Sequence, residues 1–287
     1  MAGTLTLTCL KAGGGAYVVD GGRPGHRAIG VAAGGPADGR AMVAANRLLG
    51  RNPHETCLET TLSGGRWLLN GSGQFAITGS DMTWRLNGRI LETYSVLFHE
   101  GDGLLTCLPA TRGLRSYLAI NGYWALPRAL GSVEVGLPGV PAVAPGWSVD
   151  IQWETAAGFR TDLDVYQHVP EDPFSLSVVP GPEWGLLSAQ QQSELLATGF
   201  TVSRSSNRQG IRLEHPGFGA GSGLPPMISS PVLPGTVQLT PKGPILLGPD
   251  AQTVGGYPRV LLVANRRALG SAFQVGLGGE VRFSLRS

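Results

Sequence analysis

A mainly β protein with a few helices is the fold class this sequence predicts, and three observations carry it. The 287 residues include 44 glycines and 21 prolines, so the chain is interrupted every several residues. The runs between these breaks are short and often alternate apolar with polar side chains, the period of a strand with one buried face. Apolar residues recur at helical spacing in only two places. Together these features predict β-barrel or sandwich lobes, each with a helix packed on it.

Strand-like runs stand at 74–78, 82–86, 175–179, 236–239 and 280–285. Asn87-Gly88 separates two such runs, and a type I′ turn needs positive φ at both central positions, so a hairpin is expected over 82–92. The first helix is expected over 38–50: Met42, Ala45 and Leu49 share a face, Asp38 caps the start and Gly50 ends it. The second begins at the capping box Ser188 to Gln191, ahead of Leu195 and Leu196, and stops at Gly199. A Pro- and Gly-rich stretch at 137–147 precedes a second lobe. The expected boundary lies near residue 165, giving lobes 1–165 and 166–287.

Composition removes several function classes. With 42% hydrophobic and 15% charged residues the chain is an ordinary globular protein, and a formal charge of +2 with scattered arginines leaves no nucleic-acid footprint. A small-molecule or protein partner is expected instead. No apolar run approaches the roughly 20 residues of a membrane helix, and the Thr-rich start does not resemble a signal peptide. Cys9, Cys57 and Cys107 are an odd set without CxxC spacing, which fits reduced thiols and a cytoplasmic location. His26, His54, His99, His168 and His215 lack metal-ligand spacing, so no metal site is expected. No Walker-type loop or GxSxG elbow occurs, so no ATP site is expected in this chain itself.

What remains is polar side chains set among glycines: Asp20-Gly-Gly-Arg23, Gly34-Gly-Pro-Ala-Asp38, residues 205–210 (Ser-Ser-Asn-Arg-Gln-Gly) and residues 252–258 (Gln-Thr-Val-Gly-Gly-Tyr-Pro). Such loops bring backbone amides near a ligand, and an Arg or Asn held there can grip a carboxylate or polarised carbonyl. Each is also a plain tight turn, with Arg23 and Arg208 paired to structural acids. Polar groups on rigid turns are how sites are built, and four together favour a site. Glu59 is either a buried ion-pair partner or a carboxylate aimed into a pocket. Glu183, after a stiff Pro-Gly-Pro turn, suits a helix-terminus role equally well.

In order and spacing these segments, with 45–50 (Ala-Asn-Arg-Leu-Leu-Gly), 58–62 (Leu-Glu-Thr-Thr-Leu), 115–119 (Arg-Ser-Tyr-Leu-Ala), 180–183 (Pro-Gly-Pro-Glu) and 234–238 (Pro-Gly-Thr-Val-Gln), resemble a known family from about residue 11 to 283. It is the biotin-dependent carboxyltransferase-like family that includes the C subunit of 5-oxoprolinase, allophanate hydrolase subunit 2 and KipI antagonist. The resemblance implies two cyclophilin-like β-barrel lobes with a cleft between them, and obligate A and B partner subunits. It implies ATP-coupled hydrolysis of 5-oxo-L-proline to L-glutamate, with ATP bound by the complex. Opening an unstrained lactam is uphill, and phosphorylating the amide oxygen would make it a good electrophile.

Carried onto this sequence, the resemblance implies a catalytic set of Asp20, Arg23, Asn207, Arg208, Gln252, Thr253 and Tyr257. Gly21, Gly22, Gly210, Gly255 and Gly256 would shape the loops, and Asp38, Glu59 and Glu183 are further candidates. Arg23 and Arg208 would hold carboxylate or phosphate, while Asn207 and Gln252 would orient an amide. The chain departs from the family at Val19, Gly34, Ala125 and Ser230, where polar residues are usual. Two other activities fit the resemblance. One is a carboxyltransferase acting on an amide or urea, with biotin on another protein because no Ala-Met-Lys-Met site is present. The other is a regulatory subunit that binds a kinase inhibitor through an apolar rim including Tyr123 and Trp124.

Overall fold

The computed structural model describes residues 2–154, 169–216, 224, 227–263 and 265–286. The chain is mainly β, with a half-barrel sheet and a closed seven-stranded barrel. It divides into two compact units, Met1–Gly22 with Asp38–Val169, and Arg23–Ala37 with Pro170–Ser287. The boundary expected near residue 165, like His168, lies outside the described residues.

The first unit is built on a ten-stranded sheet. Its strands run in the order Ala16–Val19, Cys57–Thr61, Arg115–Ile120, Arg66–Gly79, Ala2–Lys11, Ser148–Glu154 and Tyr123–Trp124. The long strand Arg66–Gly79 also pairs with Val96–Cys107, which carries the hairpin of Trp84–Leu86 and Arg89–Ile90. At that hairpin Asn87 and Gly88 have φ of 49° and 82°, the positive pair the type I′ turn requires.

Strand Arg115–Ile120 is buried at every position because both its faces are covered. Leu118 and Ile120 join the interior with Leu5, Leu7, Trp67, Phe75 and Trp84. Tyr117 and Ala119, one residue out of phase, face helix α1 (Gly39–Leu48). Helix α1 presents Met42 and Ala45 to that face and its C-cap residue Leu49 joins them, as the spacing predicts. Full burial of a Met or Leu side chain is worth about 1.5–3 kcal/mol. The Asp38 carboxylate accepts from the Arg40 and Ala41 amides and so caps α1.

The second unit contains the closed barrel, in the order Phe174–Pro180, Arg259–Leu262, Thr236–Thr240, Gly243–Leu247, Gly210–Glu214, Phe200–Val202 and Glu280–Leu285. A parallel pairing of Phe174–Pro180 with Glu280–Leu285 closes it. Its core gathers Leu176, Phe200, Val237, Leu246, Leu261, Phe273 and Phe283, together with Ala37 from the segment Arg23–Ala37. Helix α2 (Ala189–Ala197) starts with both halves of the Ser188–Gln191 capping box in place. A third helix, α3 (Arg266–Ala272), escapes the sequence reading, which finds only two. It is barely two turns long, so its periodicity is too short to register. Only Asn265, whose side chain accepts from the Arg267 amide, marks its start.

Candidate functional site

In the second unit the predicted loop 252–258 is one half of a two-stranded ribbon, in which Ser230–Pro231 pairs with Val254–Gly255. The Val232 amide extends the pairing by donating to Thr253 O at 3.0 Å. The ribbon presents Gln252 and Tyr257 to solvent, with Tyr257 47% exposed, while Thr253 is half-buried.

Two arginines that the sequence reading passes over hold this ribbon. Arg27 donates Nη2 to Val232 O at 2.6 Å and to Gln252 O at 2.8 Å, joining both sides of it. Burial lowers the pKa of this guanidinium, which nonetheless stays charged. Arg259 donates Nη1 to Pro231 O at 2.7 Å. It also forks onto Glu183, with Nε to Oε2 at 2.8 Å and Nη2 to Oε1 at 2.6 Å. These bonds from Arg259 hold the Glu183 carboxyl below its usual range, and the Glu183 carboxylate in turn raises the Arg259 pKa. Glu183 precedes the short 3-10 turn Trp184–Leu186 but makes no side-chain cap to it; its task is this ion pair.

Beneath the ribbon lies Gln238, 2% exposed in strand Thr236–Thr240. Its Nε2 donates to Tyr257 O at 3.1 Å, and its Oε1 accepts from Gln252 Nε2 at 3.4 Å. A register shift where this strand meets Arg259–Leu262 pairs Val237 with Leu261 but Gln238 with Arg259. Such a bulge re-aims side chains, and here it sets Gln238 opposite Arg259 on the ribbon's support. Gly255 permits the close approach, since a Cβ there would stand 2.5 Å from Gln238 Nε2 and the Gln238 side chain would have to shift. In the same ribbon the Ser230 hydroxyl oxygen is buried without a hydrogen-bond partner among the described residues.

The loop 205–210 adjoins the start of the ribbon loop. Arg208, buried, forks onto Asp250 with Nε to Oδ2 at 2.7 Å and Nη2 to Oδ1 at 2.9 Å, and also donates to Gly35 O at 2.7 Å. Its carboxylate partner is therefore supplied by its own unit. Asn207 spends its Oδ1 on the amides of Gln209 and Gly210, at 2.8 and 3.3 Å, which ties the turn. Gly210 leaves room for Ile245, whose Cγ2 would be 2.8 Å from a Cβ. Arg23 is buried, and its backbone amide donates to Ala33 O at 2.6 Å.

The other predicted residues belong to the first unit. Asp20 accepts from the Gly22 amide at 2.9 Å, Ser132 Oγ at 2.7 Å and the Val133 amide at 3.0 Å, with Arg128 Nη1 at 3.4 Å. It therefore clips the segment 128–133 to its own loop. Gly22 takes φ 75°, and a Cβ at Gly21 would meet only His54, at 3.4 Å. Glu59, fully buried, accepts from Tyr117 Oη at 2.7 Å and faces Arg115 Nε at 3.6 Å. Tyr117 Oη accepts in turn from the Asp38 amide at 2.7 Å, so the chain of bonds docks α1 on the sheet. Burial, then the Glu59 and Asp38 carboxylates, push the Tyr117 phenol well above its usual pKa. Glu59 and Asp38 are thus part of the interior.

A cavity of about 190 Å³ in the first unit is lined by Tyr17, Val18, Val133 and Val143 among others, and contains none of the predicted site residues. Tyr123 is 60% exposed while Trp124 is buried in the core, so Trp124 takes no part in the expected apolar rim. Among the described residues no three His, Cys, Asp or Glu side chains cluster as metal ligands.

Residues 29–285 match the family model for the carboxyltransferase domain, subdomain A and B. The chain belongs to this family. Within the carboxyltransferase-domain family it is 30% identical over 281 residues to the C subunit of 5-oxoprolinase from Escherichia coli (strain K12), covering 96% of this chain and 90% of that protein. It is 24% identical over 285 residues to the urea amidolyase of Saccharomyces cerevisiae, of which it spans 16%. Among solved structures, TTHA0988 superposes with a TM-score of 0.84 at 28% identity, over 97% of this chain. The chain spans 55%, about half, of that longer polypeptide.

Proposed function

We propose that this chain is one component of an ATP-dependent 5-oxoprolinase, a hydrolase that opens the cyclic amide 5-oxo-L-proline to L-glutamate and is active only with A and B partner subunits. The observation that carries this reading is extent. The match runs over nine-tenths of the C subunit of a 5-oxoprolinase, whereas in the urea amidolyase the same region is a small fraction of a larger enzyme. The ribbon adds a chemical argument. Arg259 is matched by Glu183, Arg208 in the adjoining loop by Asp250, and Arg27 is engaged by the carbonyls of Val232 and Gln252, so the side chains offered to a ligand are the neutral Gln252 amide and Tyr257. Neutral hydrogen-bonding groups suit an amide substrate.

The described residues do not fit ATP. The caps of α1, α2 and α3 are the side chains of Asp38, Ser188 and Asn265, and Arg208 and Arg259 are engaged by acids. No step of the reaction is therefore assigned to ATP in this chain, and its binding is left to the complex. Cys9, Cys57 and Cys107 are free thiols, which suits the reducing cytoplasm as the compartment.

The test is 5-oxoproline-dependent ATP hydrolysis and glutamate release, with this chain purified together with its A and B partners and each omitted in turn. The expected result is activity that disappears when this chain is left out. A stable complex with no turnover would overturn the reading and favour the regulatory one. The family model favours a second reading, a carboxyltransferase acting on an amide or urea with biotin on a partner protein. Avidin separates the two, since it would abolish biotin-dependent carboxyl transfer and leave oxoprolinase activity intact.

A further inference from the structure

Gln238 closes the segment 234–238 but carries no role in the sequence reading, and its side chain meets the Gln252 amide in a contact whose polarity has a chemical reading. Tyr257 O is a carbonyl and can only accept, so the Gln238 atom facing it at 3.1 Å must be the Nε2 donor. That leaves Gln238 Oε1 facing Gln252, which must answer with its own Nε2. The carbonyl oxygen of Gln252 then points away from Gln238. We infer that Gln238 is a positioning residue that fixes the Gln252 amide with its Oε1 as an outward acceptor, matched to the N–H of a cyclic amide substrate.

Three observations support this fixed polarity. Gln238 is 2% exposed, so water does not compete for its amide. Gly255 lets the ribbon approach Gln238 closely, since a Cβ there would stand 2.5 Å from its Nε2. Arg27 independently holds Gln252 O, at 2.8 Å, so the backbone that carries the amide is held as well. An outward carbonyl oxygen matches the lactam N–H, a donor, and repels the carboxylate of the same substrate, so it selects which end of 5-oxoproline faces Gln252. The inference deepens the oxoprolinase reading and rests on it for the identity of the substrate.

The experiment uses the reconstituted complex carrying Gln238→Met, which keeps the volume and loses both hydrogen bonds, Gln252→Ala, and the two combined. Gln238→Glu, which keeps an acceptor toward Gln252 but loses the donor toward Tyr257, is the second variant should the first not fold. The expected result is a loss of about tenfold in kcat/KM for 5-oxoproline in each single variant, chiefly in KM. Little further loss is expected in the double variant, because Gln238 acts through Gln252. Fully additive losses would overturn the proposal. Hydrogen exchange supplies a readout independent of turnover: Gln238→Met should speed exchange of the amides at 252–257 while strands Thr236–Thr240 and Arg259–Leu262 remain protected. Unchanged exchange at 252–257 would also overturn it. If the wild-type complex does not turn over 5-oxoproline, the functional reading fails, and the exchange measurement alone decides the positioning role.

Discussion

The charged residues of the glycine-rich loops are spent on the protein itself. Arg208 meets Asp250, Arg259 meets Glu183, and Asp20 gathers donors from Gly22, Ser132 and Val133. A charge held in a partly dry environment needs such a partner, and the fork geometry of Arg with a carboxylate satisfies it while fixing two loops. This has a pH consequence at Glu183. Arg259 depresses the Glu183 pKa, so the stabilisation is fully present above the ordinary value of 4.5 and is lost as pH falls through the folded value. Glu183→Gln should therefore lower stability near neutral pH by about 1–3 kcal/mol, the cost of leaving a charged donor poorly matched. The deficit should shrink in denaturant titrations carried out progressively below pH 4.5. A deficit constant with pH would show that the ion pair is not its origin.

The ribbon is small, and its conformation is set by groups from outside it. Arg27, Arg259 and Gln238 reach it from three different parts of the second unit. Its two adjacent glycines are consequently unequal. Gly255→Ala would put a Cβ 2.5 Å from Gln238 Nε2, whereas a Cβ at Gly256 meets nothing nearer than Ser229 Oγ at 3.5 Å. Gly255→Ala should cut activity of the complex about tenfold or more, while Gly256→Ala should stay within about twofold. Assaying the two side by side tests the asymmetry. The elements themselves are largely legible in the sequence. The Asn87-Gly88 hairpin, the face of α1 and the capping box of α2 are local patterns, and each forms as its residues dictate. The supports of the ribbon are not legible. Arg27 and Arg259 act on residues distant in sequence, as Asp250 does on Arg208, and a lone Gln238 in an apolar strand gives no sign of which carbonyl it will meet. Helix α3 goes undetected because seven residues are too few to show a period.

At the scale of the whole chain, the second unit is discontinuous. Segment Arg23–Ala37 gives it Ala37 for the core, Gly35 O for Arg208 and the Gly34 amide for Pro249 O. A fragment beginning at Pro170 should therefore be markedly less stable than the same unit in the intact chain. Adding a peptide of residues 23–37 should raise its thermal midpoint in a saturable manner, which calorimetry would read directly. No shift at saturating peptide would show that the barrel does not need the segment. Discontinuity also imposes a timetable on the ribosome. Residues 23–37 emerge well before strand Glu280–Leu285, which closes the barrel they join. At about 5–20 residues per second the interval is on the order of 10–50 s. Throughout it, the earlier segment has no finished barrel to join, so the newborn polypeptide carries an uncovered apolar side until that strand has emerged, and any shielding it receives must come from elsewhere in the chain or from a chaperone.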